Sequence, residues 1–151
     1  MMKEEVVRLA EAMAEEGFLC SEAVFKAIAC AQGITSEWIP KVATGFAAGI
    51  GRSGEVCGAV SGAVLGLGLK YGRNSPKETP PGRRPYWYAT ELIQTIRERK
   101  GVVTCAGVLG LDLNDSGDLE TYDKFDHWNT TCRELIKELT ALAWDLLQRD
   151  P

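Results

Sequence analysis

The stretch Cys57-Gly58-Ala59-Val60-Ser61-Gly62-Ala63-Val64-Leu65-Gly66-Leu67-Gly68-Leu69-Lys70-Tyr71-Gly72 decides the fold class. Its glycines at 58, 62 and 66 recur every four residues, so they share one face of a helix. Each glycine weakens a helix interior by roughly 1 kcal/mol relative to alanine. Three in register point to a second helix whose backbone lies close against that face. The spacing predicts a helix from Gly58 to Tyr71, stopped by Gly72, with a glycine groove at the centre of a bundle.

The flanking sequence is helical as well. From Met2 to Glu16, Val6, Val7, Leu9, Ala10 and Met13 form one stripe that ends at Gly17. Ser21 reads as the N-cap of a second helix through Ala31, closed by Gly33. Ser36 and Pro40 open a predicted third, with Trp38, Ile39, Val42, Phe46 and Ile50 as its apolar face. Gly49-Ile-Gly-Arg-Ser-Gly54 breaks the pattern and reads as a loop. Residues 73–85 hold Pro76, Pro80, Pro81 and Pro85 and form the clearest loop. A fifth helix is predicted over Tyr86 to Lys100, stopping at Gly101, then a short turn from Cys105 to Leu109, capped by Thr104 and bounded by Gly110, and a polar turn from Asp112 to Gly117. Asn129 or Thr130 caps a last helix carrying Leu135, Ile136, Leu139, Leu142, Ala143, Leu146 and Leu147. No segment alternates with period two. The expectation is an all-α, compact single domain over 1–151, a bundle of about five or six helices.

Bulk composition narrows the function. The chain has 151 residues, 45% of them hydrophobic and 25% charged, enough for a core without disulfide staples. A net charge of −4 argues against nucleic-acid binding. The longest apolar run, Gly58 to Leu69, spans 12 residues and is too short to insert across a membrane. No leader pattern opens the chain, so the expected compartment is the cytoplasm, where thiols stay reduced.

Against that background the five cysteines are the chemically notable residues. Four of them, Cys20, Cys57, Cys105 and Cys132, fall at predicted helix starts. Unpaired N–H groups and the helix dipole stabilise a thiolate there and lower its pKa. The thiolate is both the nucleophile of disulfide exchange and the metal ligand, so the placement favours both chemistries alike. Cys30 lies ten residues after Cys20, a net rotation of about 280° on a helix, and reads as core. The separations contain no C-x-x-C pair, so spacing alone does not define a metal site.

The residues resemble the family of redox-active proteins named for the pattern C_GCAxxG_C_C. The core of that pattern is Cys57-Gly58-Ala59-Val60-Ser61-Gly62. The first cysteine lies in Phe18-Leu-Cys-Ser-Glu-Ala-Val24, the third in Cys105-Ala-Gly-Val-Leu-Gly-Leu-Asp-Leu113, and the fourth is Cys132. Ala106-Gly107 stands where the family often carries charge. The resemblance implies that Cys20, Cys57, Cys105 and Cys132 form one redox site, with Gly58, Ala59 and Gly62 beside any cofactor. Members of the family are often encoded near transporters. A related domain in split-Soret-type cytochromes looks like an iron–sulfur carrier; C-x-x-C-H, the haem attachment signature, is absent here.

Three readings follow. In the first, a thiol-based oxidoreductase, one thiolate attacks a disulfide or peroxide and a second resolves the intermediate, with Cys57 a participant and Cys20 its nearest partner candidate. The partner would be a redox protein or a small thiol or disulfide. In the second, the same four cysteines bind metal, an iron–sulfur cluster in preference to zinc, because close ligand pairs are missing. In the third, the cysteines merely pack in a helical interaction protein.

Other features read more plainly. Gly49-x-Gly51-x-x-Gly54 fits a dinucleotide fingerprint by letter but lacks the preceding strand and the following acid. His127, five residues before Cys132, reads as a polar residue near a helix start, with proton relay or metal ligation as its sharper roles. Ser61 reads as a small spacer. Arg73, Lys77, Arg83 and Arg84 read as a solvated loop. Trp38, Trp87, Tyr88, Trp128 and Trp144 read mostly as core, and a Trp exposed near the proline loop would mark an oligomer contact such as that of a homodimer.

Overall fold

Two carboxylate caps open the first two helices. In the computed structural model, which describes residues 1–79 and 81–150, the Met2 N–H donates to the Glu5 carboxylate at 3.0 Å and the Leu19 N–H to Glu22 at 2.9 Å. Each carboxylate satisfies an N–H that the helix itself leaves unpaired. The elements α1 (Lys3–Glu16) and α2 (Cys20–Ala31) follow, and Gly17 closes α1 at φ 108°. Next come a 3-10 turn (Lys41–Phe46), α3 (Ala47–Ile50), α4 (Gly58–Tyr71), α5 (Trp87–Lys100), α6 (Cys105–Leu109) and α7 (Ser116–Lys124). A π turn (Trp128–Cys132) leads into α8 (Arg133–Leu147). Pro80, one of the prolines of the predicted loop, and Pro151 lie outside the described residues.

The glycine groove of α4 receives α2. A Cβ on Gly62 would sit 2.4 Å from the Ser21 carbonyl oxygen, and one on Gly66 2.5 Å from Ile28 Cγ2. Only the missing side chains allow this approach. Around that pair, α1 and α8 close the core with Val6, Ala10, Ile136 and Leu139 against Val24, Ile28 and Leu67. The C-terminal ends of α4 and α8 are tied by hydrogen bonds. Lys70 Nζ donates to the Leu147 carbonyl and the Tyr71 hydroxyl to the Leu146 carbonyl, both at 2.6 Å. These bonds satisfy carbonyls at the end of α8 that have no partner within the helix.

Among the described residues the chain is all-α, with a single isolated β-bridge, Val56 to Thr104. Among the described residues eight α-helical elements replace the expected five or six, one of them, α3, no more than a left-handed turn, and the differences are instructive. The predicted amphipathic helix over 36–50 is a turn followed by the short α3, so Trp38, Val42 and Ile50 are exposed rather than core. Ser21 is not a cap. It lies inside α2, fully buried, and its hydroxyl donates to the Ala43 carbonyl at 2.7 Å, pinning the 3-10 turn to α2. Asn129 and Thr130 do not cap the last helix either, because the π turn runs through them into α8. The polar stretch after Asp112 continues into α7, which Asp115 caps by accepting the Asp118 N–H at 2.9 Å. Trp87 is buried as expected, while Tyr88, Trp128 and Trp144 are half-buried.

Candidate functional site

Four separate segments carry the four cysteines. Cys20 is the first residue of α2, Cys57 the N-cap residue of α4, and Cys105 the first residue of α6. Cys132 ends the π turn, so its own N–H is no free helix start. A short antiparallel pairing sets two of them side by side. The Cys57 N–H donates to the Val103 carbonyl at 2.8 Å, and the Cys105 N–H to the Glu55 carbonyl at 2.7 Å. Thr104 caps α6 as predicted, accepting the Gly107 N–H at 3.0 Å. Gly58 makes room for Cys20: a Cβ there would lie 2.4 Å from its sulfur.

All four cysteines line one cavity of about 520 Å³, with Leu19, Val108, Leu113, Leu119, Tyr122 and Trp128 among its walls. Cys30 is not among its lining residues and packs half-buried against the core, in line with its helical phase. Gly58 and Ala59 line the cavity, whereas Gly62 is turned to the α2 backbone. His127 and Ser61 are not among the lining residues. Nor are the basic residues of the proline loop: Arg83 stacks over the Trp87 ring at 4.3 Å, and Arg73 donates to the Pro76 carbonyl at 2.8 Å.

One wall is built from unusual backbone. Ala48, Gly49, Ile50, Gly51 and Arg52 all have positive φ, between 56° and 67°. For a residue with a Cβ the left-handed conformation costs roughly 1–2 kcal/mol, and a β-branched isoleucine there is rare. This strained turn aims the Ala48 N–H at the Cys20 sulfur, where it favours the thiolate. It also packs Gly49 against Cys105, since a Cβ on Gly49 would lie 2.7 Å from the Cys105 Cβ. The Asn114 side-chain amide donates to the Arg52 carbonyl at 2.5 Å and holds the far end.

The electrostatics correct the expectation of lowered thiol pKa values. Burial pushes the Cys20 thiol up, although the N–H groups of Ala48, Ser21 and Cys20 oppose the shift. Burial, followed by the neighbouring Cys20 charge, pushes Cys57 up to about 12, against the Ala59 and Val60 N–H groups. Burial first, then the other thiols, raises Cys105 and Cys132 to about 11 each. Helix N–H groups do point at sulfur at Cys20 and Cys57, as the sequence suggested. Desolvation of the charged form outweighs them, because the cavity walls are largely apolar.

Tyr122, from the unpredicted α7, is the site residue that sequence reasoning missed. Its hydroxyl lies 3.5 Å from Cys132 Sγ and works against the rise in the Cys132 pKa. Its own pKa is pushed up by burial and then by Cys132. The His127 ring stacks on Tyr122 with centroids 5.9 Å apart and Nδ1 3.5 Å from Thr131 Oγ1, so the histidine buttresses the site from behind. No motif around Asp118-Leu-Glu-Thr-Tyr122 signals this role.

Four thiols are the donor set of a zinc or iron–sulfur site. Among the described residues, however, no three His, Cys, Asp or Glu side chains are arranged to hold a metal ion. A family model described as "Putative redox-active protein (C_GCAxxG_C_C)" matches residues 18–146. The chain belongs to this family. No curated protein and no solved structure matches it. The C_GCAxxG_C_C match begins at Phe18, so it takes in every cysteine and leaves out α1.

Proposed function

We propose that this chain is a thiol–disulfide redox protein whose electrons are held by Cys20, Cys57, Cys105 and Cys132, with Cys20 and Cys57 the first pair to oxidise. The supporting observation is that four cysteines from four segments line one cavity and the fifth does not. Cys20 and Cys57 are chosen because the Cys20 sulfur packs on Gly58, next to Cys57, and because, after burial, the Cys20 charge is the largest influence on the Cys57 thiol.

Oxidation of the pair forms one S–S bond and releases two electrons and two protons. A disulfide substrate accepts both. Attack by one cysteine sulfur breaks the substrate S–S bond, and the second cysteine then displaces the remaining half, so both cysteine protons end on the two leaving thiols. Strongly oxidising dithiols owe their potential to a stabilised thiolate in the reduced form. Burial withholds that stabilisation here, which favours a site that gives up electrons rather than takes them.

The convergence of four thiols on one cavity also favours an iron–sulfur cluster as the second reading, held by the same four cysteines. The absence of a ready-made donor group among the described residues ranks it below thiol exchange. Anaerobic purification with iron and sulfide analysis and a visible spectrum separates the two. Thiol chemistry predicts a colourless protein whose cavity thiols oxidise and reduce reversibly, with Cys57→Ser losing the first two-electron step. Stoichiometric iron with sulfide and a charge-transfer band would overturn it in favour of the cluster.

A further inference from the structure

The cavity wall carries information about the substrate. Its apolar side chains include Leu19, Val108, Leu109, Leu113, Leu119 and Trp128. Its charged lining residues are one of each sign, Arg52 and Asp123. Burying several unpaired charges in such a space is costly, so a multiply charged disulfide is a poor occupant. The volume, about 520 Å³, lies within the range of small-molecule sites. Cys57 is only 8% exposed, which puts it beyond the reach of a disulfide on a flat protein face.

One side of the cavity is built to give way. The helix α7 brings Leu119 and Tyr122 to the wall, yet none of its residues is buried. It is missing from the elements that pack extensively on one another. The other long helices at the cavity, α2, α4 and α8, are anchored by many buried residues. Elements with few buried contacts open at the lowest free energy, so α7 is the entry side.

We propose that the cavity takes a small apolar disulfide, which enters beneath α7 and receives the electrons in place of a folded partner's disulfide. This rests on the thiol–disulfide reading above and names its substrate. Per molecule of reduced chain, the aliphatic S–S bond breaks, Cys20 and Cys57 become a disulfide, and two aliphatic thiols leave with the cysteine protons.

The test uses the reduced full chain and three probes: dipropyl disulfide, glutathione disulfide and the disulfides of insulin. Each rate of thiol loss is divided by the rate of the same probe with dithiothreitol, which removes intrinsic reactivity. Dipropyl disulfide is expected to exceed the other two at least tenfold. Leu119→Trp and Leu113→Trp, which fill the cavity from half-buried positions, are expected to lower that rate at least tenfold. Alkylation of Cys30, outside the cavity, should stay unchanged in both and so report an intact fold. Equal normalised rates, or tryptophan variants that react like the parent, would overturn the proposal. A redox-inert probe, 1-octanol, separates the two failures. If it slows alkylation of the cavity thiols while no disulfide oxidises them, the thiol-exchange reading falls and the disulfide with it. If it gives no protection while all the disulfides react alike, exchange stands and the apolar site falls.

Discussion

Cys57 is subject to two opposed influences. The Ala59 and Val60 N–H groups at the head of α4 favour its thiolate, and burial with the Cys20 charge disfavours it more strongly. Burial and the neighbouring cysteine charges likewise raise Cys105 and Cys132 to about 11, opposed at Cys132 by the Tyr122 hydroxyl and at Cys105 by no hydrogen bond. A thiol reacts through its thiolate, so two pH units of raised pKa mean about a hundredfold less reactive form at neutral pH. Iodoacetamide labelling should therefore find Cys105 and Cys132 about a hundredfold slower at pH 7 than an ordinary thiol. Their rates should climb about tenfold per pH unit until near pH 11. Ile50 offers a second test at this scale. It is 47% exposed, at φ 62°. Ile50→Gly relieves the left-handed strain while adding unfolded-state entropy, so the net expectation is a gain of up to about 1 kcal/mol in chemical denaturation. A loss of stability would show that the side chain packs more than its exposure indicates.

The α2–α4 pair is the element on which the site depends. Gly62→Ala would drive a methyl into the Ser21 carbonyl, a backbone atom that cannot rotate away. The expected loss is about 1–3 kcal/mol, the overpacking range, while Gly45→Ala, with open space around it, should cost little. Urea denaturation of the two variants checks the contrast. This element was legible in the sequence because a four-residue glycine period is a backbone constraint that survives any tertiary context. The ends at Gly17, Gly72, Gly101 and Gly110 and the Thr104 cap were legible for similar local reasons. The segment 36–50 was not. Its apolar residues mimic a helical stripe, and nothing in Ala48, Ile50 or Arg52 announces left-handed backbone. Nor was α7, whose stripe amounts to Leu119 and Tyr122, so the Tyr122 contact with Cys132 could not be read ahead of the fold. By the same token, α7 amides should exchange with deuterium well before those of α4. Equal protection in the two helices would contradict an entry side at α7.

At the scale of the whole molecule, the four cysteines were legible as a set, but their chemistry was not. Helix position was readable and burial was not, and burial proved the larger effect. It also ties stability to pH. Between about pH 9 and 12 the folded reduced chain retains thiol protons that the unfolded chain has lost. Stability should thus be full below about pH 9 and fall as pH rises towards 12. Cys57→Ser, which removes the thiol raised furthest of these three, should flatten that fall in thermal melts. No helix among the described residues is long and apolar enough to cross a membrane.

The most direct measurement is disulfide mapping by mass spectrometry after graded oxidation of the anaerobically purified chain. The first bond formed should join Cys20 to Cys57, further oxidation should involve only Cys105 and Cys132, and Cys30 should remain a free thiol throughout. A first bond that includes Cys30, or thiols that stay inert to oxidant because they are bound to iron, would contradict the thiol–disulfide centre.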